Sequence, residues 1–199
     1  GLGGAIFVQS NALLTLVDVT QISGNSVIVG NGGSSTSEGS PTYVPPGNGA
    51  ALGQDIFLRQ GGSLVFNLSN ILTISTPIEG DASLPAVTSG EVIKRGIGIL
   101  ELTGANSYTG LTTIEEGNLR LNGSIIGDLQ IESSGTLSGN ATIFGDINSS
   151  GTISPGNSIG SITTTNLNLS STNVYVVEID PTHANFLNAT GTANLDGSL

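Results

Sequence analysis

The chain of 199 residues contains no cysteine, no methionine and no tryptophan. Without thiols it is indifferent to the redox state of its compartment, and a cysteine nucleophile or cysteine-ligated metal is excluded. There is one histidine, His183, in the turn-like stretch Asp180-Pro181-Thr182-His183. A zinc site needs several such ligands, and a lone histidine in a turn is far more often solvated than catalytic. Nucleophilic catalysis needs a base, and His183 is the only histidine to supply one. Positive charge is scarce: four Lys/Arg face fifteen Asp/Glu, for a net charge of −11. That balance argues against nucleic acid, which is held by basic patches, and against docking on anionic lipid. No apolar run approaches the roughly 20 residues of a membrane helix, so no direct membrane insertion is expected. Aromatics make up only 4% while hydrophobic residues reach 37%, nearly all Ile, Leu, Val and Ala, which suits a narrow interior.

Against these absences stand thirty glycines and abundant Ser, Thr and Asn. They are not scattered at random. Gly127 opens GDLQIESSGTLSGN and Gly145 opens GDINSSGTISPGN. GD thus returns from Gly127 to Gly145, SSGT from Ser133 to Ser149 and GN from Gly139 to Gly156. A period this short is too small for a helical-hairpin repeat and fits one coil of a solenoid. Within each coil short apolar pieces recur, such as Leu119/Leu121, Leu129/Ile131, Leu137, Ile147 and Ile153, separated by Gly-Asp, Ser-Ser-Gly and Pro-Gly-Asn turns. The strands are too short and too evenly spaced for a sandwich. Stacking each strand on its equivalent one coil earlier buries a continuous aliphatic column at about 4.8 Å per coil. The expected fold is an all-β parallel β-helix of roughly eight to ten coils in one elongated domain, 1–199. Asn and Ser at equivalent turns are expected to form ladders along it.

Taken in order, 1–29 reads as strands, including GGAIF at Gly3–Phe7 and the stretch Ile22-Ser23-Gly24-Asn25. Residues 30–53 have no period and are rich in Gly, Ser and Pro, a loop excursion whose single aromatic is Tyr43. Strands return over 54–78, with Phe57 and Phe66 expected to stack inward. A second loop or edge strand is expected over 79–95, where Lys94 and Arg95 carry half of the positive charge in one dipeptide. Tyr43, Lys94 and Arg95 are the candidate partner contacts. The plainer readings are a surface insertion for Tyr43, and a solvated turn or ion pairs with Glu91 or Glu101 for the two cations.

A carbohydrate-active β-helix enzyme would need close carboxylates on one face. Glu115 and Glu116 are adjacent and face opposite sides of a strand. Asp128 and Asp146 stack one coil apart but sit in Gly-Asp turns, where aspartate serves the backbone. Arg120 is the only cation of the repeat region, thin support for stabilising an anionic intermediate. No G-G-x-G-x-D calcium nonapeptide occurs. No catalytic residue, cofactor or metal is assigned. The Asn-x-Ser/Thr sequons at Asn67, Asn122, Asn140, Asn148, Asn168 and Asn188 follow from composition.

From Gly96 to Leu121 the chain resembles the strand repeat of bacterial autotransporter passengers. The matching residues are Gly98, Leu100, Leu102, Gly104, Asn106, Tyr108, Gly110, Thr112, Ile114, Gly117 and Leu119. Gly151–Thr163 is similar to the S-P-G-N-S-x-G coil of the same family, and GGAIF resembles polymorphic outer-membrane-protein repeats. At Asn185-Phe186 the chain departs from the family's Ser-Asp. The resemblance implies a right-handed parallel β-helix, and a fragment of a longer type V secreted protein whose C-terminal translocator barrel lies beyond 163–199. It implies a cell-surface location and a host-cell surface protein or glycan as partner. The expected role is adhesin or structural display. The rivals are the enzyme above, or a pure scaffold whose binding region lies elsewhere.

Overall fold

The computed structural model describes residues 4–26, 28, 53–81 and 88–196. Among them there is no helix, and nineteen strands wind around three faces. The first face carries β1 (Ile6–Val8), β3 (Ile56–Leu58) and β6 (Ile78–Gly80), then β10 (Ser124–Ile125), β12 (Ala141–Ile143), β15 (Ser161–Thr164) and β18 (Phe186–Ala189). The second carries β2 (Leu13–Val17), β4 (Ser63–Asn67), β7 (Glu91–Arg95), β9 (Thr112–Leu121), β11 (Leu129–Gly139), β13 (Ile147–Ser149), β16 (Leu167–Leu169) and β19 (Ala193–Leu195). The third is built from β5 (Ile71–Ile74), β8 (Ile99–Leu102), the second halves of β9 and β11, β14 (Thr152–Pro155) and β17 (Val174–Tyr175).

Every pairing between named strands is parallel, each strand lying on the one a coil earlier. Eight strands on the second face make eight rungs, a rise of about 34 Å. The sequence repeat is the structural repeat. Leu129 pairs with Ile147, the same step as from Gly127 to Gly145. Leu137 pairs with Ile153, the same step as from Ser133 to Ser149.

Alternation decides what is inside. On the third face Leu72, Leu100, Leu119, Leu137 and Ile153 stack in register and are wholly buried. On the second, Leu64, Val92, Thr112, Leu129, Ile147 and Leu167 form one inward column. Leu121, Ile131 and Ile153, on which the solenoid reading depends, are each 0% exposed.

Corners are made by glycine. At the turn from first to second face, Gly62, Gly90, Gly110 and Gly127 stack one per rung. A Cβ on any of the last three would come below the 3.0 Å that real Cβ atoms keep from the carbonyl oxygen of the glycine beneath. Gly117, with φ +76°, bends β9 between the second and third faces. The Gly-rich turns are thus a packing requirement of tight stacking.

Two expectations need correction, and a third lies outside the described residues. Within 79–95, β7 is not a loop or edge, since it has a rung on either side, and Glu79 and Gly80 end β6, which pairs with β3; residues 82–87 lie outside the described residues. The inward lysine in Glu91–Arg95 hides the alternation that Val92 would otherwise announce. Phe66 does point inward, but Phe57 does not. It lies between the inward Ile56 and Leu58 and stacks on Phe7 of the preceding rung, ring centroids 6.0 Å apart and 16° from parallel. Finally, the loop 30–53 with Tyr43 lies outside the described residues, except Gly53.

Candidate binding surface

The residues of the resemblance have separate physical tasks. Leu100, Leu102, Ile114 and Leu119 fill the interior. Asn106 is buried and ties three successive levels together: its Oδ1 accepts from the Ile78 N–H at 2.9 Å, and its Nδ2 donates to the carbonyls of Gly104 (3.0 Å) and Ser124 (2.9 Å). Tyr108 is the largest fully buried side chain, its hydroxyl 2.7 Å from Thr112 Oγ1. Burial raises the phenol pKa, opposed only by that hydrogen bond. Thr112 thereby supplies the polar partner an interior tyrosine needs.

Lys94 and Arg95 part company. Lys94 is 0% exposed and points into the coil. Its Nζ donates to the carbonyls of Arg95 (2.7 Å), Gly96 (2.5 Å) and Glu116 (3.1 Å). Burial pulls its pKa down to about 8, against the opposing field of Glu116. An ammonium so enclosed cannot touch a partner, so the contact expected at Lys94 is withdrawn; nor is it a solvated turn or an ion-pair partner of Glu91 or Glu101. Period-2 alternation forces one of two neighbours inward, and the inward one is the lysine. Arg95 is exposed, and makes a two-pronged pair with Glu115, Nε–Oε2 2.6 Å and Nη2–Oε1 2.9 Å. That pair raises the arginine pKa and lowers that of Glu115.

The other arginines are also engaged. Arg59 Nε lies 2.7 Å from Asp81 and Arg120 Nη1 lies 4.0 Å from Glu101. The exterior therefore carries surplus carboxylates and no unpaired cation among the described residues.

The aspartates of the Gly-Asp turns serve the backbone. Asp128 Oδ1 accepts the Asp146 N–H at 2.8 Å. Asp146 Oδ1 accepts from Asn166 through its backbone (3.2 Å) and its amide (2.8 Å), and Asn166 Oδ1 accepts the Thr192 N–H at 2.8 Å. This is the turn ladder expected from the repeat. Beside it runs a second ladder on the strand faces. Asn194 Nδ2 donates to Asn168 Oδ1 at 2.8 Å, and Asn168 Nδ2 to Asn148 Oδ1 at 2.9 Å, with Gln130 next below in register. The unequal steps from Asn148 to Asn168 and from Asn168 to Asn194 hide this ladder in the sequence. The asparagine ladder borders a shallow trough lined by Gln130, Asn148, Asn168 and Asn194 together with the apolar Leu169, Ala193 and Leu195. Each ladder amide keeps an outward donor or acceptor for a hydroxylated or amide-bearing ligand.

His183 caps an exposed hairpin. Asp180 Oδ1 accepts from the Thr182 N–H (2.6 Å) and the His183 N–H (2.7 Å), which lowers the aspartate pKa. The hairpin is anchored by the buried Asn185, whose Nδ2 donates to the carbonyls of Pro155 (3.0 Å) and Val176 (3.2 Å). The departure at Asn185 thus carries a structural role, while its neighbour Phe186 is exposed. Among the described residues no three His, Cys, Asp or Glu converge on a point.

Residues 92–121 match the family described as the passenger-associated-transport repeat. The chain is 36% identical over 107 residues to an extracellular serine protease of Serratia marcescens, covering 48% of this chain and 10% of that one. It is 42% identical over 73 residues to the adhesin BmaC autotransporter of Brucella suis, covering 34% of this chain and 2% of that one. It is 42% identical over 66 residues to the Neisserial autotransporter lipoprotein NalP of Neisseria meningitidis, covering 33% and 6%. The chain thus spans a tenth or less of the length of these relatives. No solved structure matches it. Between Val92 and Leu121 the chain carries a passenger-associated-transport repeat, and the proteins it resembles include autotransporters.

Proposed function

We propose that this segment is a stiff β-helical spacer in the passenger of an autotransporter, carried at the bacterial surface by a C-terminal barrel of the same protein. The observation that carries the reading is the unbroken parallel stack: eight rungs sharing one aliphatic interior, with glycine corners too tight for a side chain. Such a stack resists bending because each strand of the second face is hydrogen-bonded to the next. The relatives support a carrying role over any one activity, since their names span a protease and an adhesin. Adhesion to a host protein or glycan is the finer reading, and the trough bordered by Gln130, Asn148, Asn168 and Asn194 is the surface that favours it. Contact through Arg95 would first have to break its pair with Glu115.

The test is removal of one coil, 127–144, from the longer protein. Gly145-Asp146 then takes the place of Gly127-Asp128, so the stack closes up one rung shorter. Surface display, followed by flow cytometry of a tag placed upstream, is expected to persist, and adhesion to host cells with it. Loss of adhesion with display intact would put the binding site in this segment. Loss of display would overturn the spacer reading.

A further inference from the structure

The glycine corner between the first and second faces has no side chains to fill it, and it leaves a groove along the stack. Gly62, Gly90, Gly110 and Gly127 form the floor, one per rung. One wall is an outward column at the start of the second face. Val92, Thr112 and Leu129 are register partners, so the residues just before them, Glu91, Leu111 and Asp128, stand on three successive rungs. The opposite wall is made by the residues that precede the glycines: Ser89, Thr109 and Ile126, with Phe144 one rung further on. Glu91, Leu111, Asp128, Ser89 and Thr109 line a single cavity of about 430 Å³.

Two features of these walls are not required by the fold. The first is apolar. Leu111, Ile126 and Phe144 are 41%, 40% and 62% exposed on neighbouring rungs of one corner. The earlier rungs carry Ser89 and Thr109 in the place of Ile126 and Phe144, so the corner closes equally well on a hydroxyl. Apolar side chains gathered beside a groove, rather than scattered singly, mark a contact surface. The second feature is charge. Glu91 and Asp128 have no cationic partner among the described residues: the three arginines there sit against Asp81, Glu115 and Glu101. Asp128 uses Oδ1 for the Asp146 N–H, which leaves its other oxygen for a ligand.

We propose that this groove binds an extended basic segment of a partner protein in the polyproline II conformation. One Lys or Arg of the segment meets Glu91, a second meets Asp128, and its apolar residues lie against Leu111 and Ile126. The spacing selects the conformation. Glu91 and Asp128 are two rungs apart, about 10 Å at about 4.8 Å per rung. Polyproline II has three residues per turn and rises about 3.1 Å per residue, so residues three apart share a face at about 9 Å. Same-face residues of a β-strand are about 7 or 13 Å apart, which fits neither one rung nor two. A helix, about 10–12 Å across, is too wide for a floor one residue wide. A net charge of −11 draws a cationic segment and repels an anionic one. The bare glycine floor lets the partner's backbone approach closely. This groove is separate from the asparagine trough, and the inference does not rest on the spacer reading.

The probe is the synthetic peptide Pro-Arg-Pro-Pro-Arg-Pro, added to the isotope-labelled full chain at low salt and followed by NMR. The amides of Gly110, Leu111 and Asp128 are expected to shift saturably, and those of Asn148, Asn168 and Asn194 to stay in place. The double variant Glu91→Gln, Asp128→Asn is expected to bind about tenfold more weakly, the loss of two exposed ion pairs. Its fold is expected to survive, because the new amide oxygen at 128 still accepts the Asp146 N–H. A peptide of the same composition with the two arginines adjacent is expected to lose about as much, a comparison that needs no protein variant. Absence of saturable shifts at millimolar peptide overturns the proposal. Equal binding of the two peptides, or undiminished binding by the double variant, overturns it too. Shifts of the same amides by a neutral oligosaccharide, with none by the peptide, would make the groove a glycan site and overturn it as well.

Discussion

Gly110 stacks on Gly90 so closely that a Cβ on Gly110 would fall below 3.0 Å from the Gly90 carbonyl oxygen. The obstacle is backbone, which cannot swing aside as a side chain can. Gly110→Ala is therefore expected to destabilise the chain by about 2–4 kcal/mol. Urea denaturation followed by circular dichroism measures it. An unchanged midpoint would mean that the corner opens at no cost.

Leu119 sits in the third-face column between Leu100 and Leu137 and is 0% exposed. Leu119→Ala removes three carbons from a packed interior and is expected to cost about 2–5 kcal/mol. Ile97, 75% exposed, is the control, with Ile97→Ala expected within about 0.5 kcal/mol of the parent. Equal losses at the two sites would contradict the shared interior.

Asn106 offers a sharper contrast. Asn106→Leu is close in size but leaves the Ile78 N–H and the Gly104 and Ser124 carbonyls without this partner. The two carbonyls still accept backbone N–H groups, from Ser124 and Asn106, so only the Ile78 N–H is orphaned and a loss of about 1–3 kcal/mol is expected. Hydrogen exchange at the Ile78 amide should accelerate in step. A variant as stable as the parent, with that amide still protected, would remove the cross-rung tie.

Lys94 gives a pH signature whose sign follows from its pKa, lowered to about 8 from 10.5. Below pH 8 both folded and unfolded chains hold the proton. Between about 8 and 10.5 the unfolded chain still holds it while the folded chain has released it, so this group's contribution to stability rises with pH. Tyr108, with its raised pKa, pulls the opposite way once unfolded tyrosine ionises. The stability difference between parent and Lys94→Met cancels the tyrosine and isolates the lysine. That difference is expected to move in the parent's favour from pH 8 upward. A flat difference across the window would show an ordinary lysine pKa.

The burial of Lys94 also sets its reactivity. Lys94 is expected to resist an amine-reactive ester in the folded chain and to be labelled once urea unfolds it. Prompt labelling of Lys94 in the native chain, read by peptide mass spectrometry, would place the side chain outside.

Much of the architecture is legible in the sequence because solenoid coils are local. Gly-Asp recurs from Gly127 to Gly145 and Ser-Ser-Gly-Thr from Ser133 to Ser149, and the pairings of Leu129 with Ile147 and Leu137 with Ile153 follow the same steps. Alternation marks Leu121, Ile131 and Ile153 as interior, and turn chemistry marks Asp128. Alternation fails at Glu91–Arg95, where an inward cation makes a buried strand look like a solvated turn, and at Phe57, which stacks on Phe7 between two inward aliphatics. The asparagine ladder escapes sequence reading because its members are separated by unequal lengths of chain.

The sequence by itself determined the coil, its period and the aliphatic character of its interior, since these depend on residue type and spacing along the chain. Only the tertiary structure decided that Lys94 lies among three carbonyls, that Asn106 joins three levels, and that the turn ladder expected from the Gly-Asp repeat runs on through Asn166 to Thr192. Apart from the carbonyls of Arg95, Gly96 and Gly104, which lie within two residues of the side chain they meet, these contacts form between residues about a coil apart. Their existence depends on which carbonyl or amide the neighbouring rung presents, and local pattern carries no record of that.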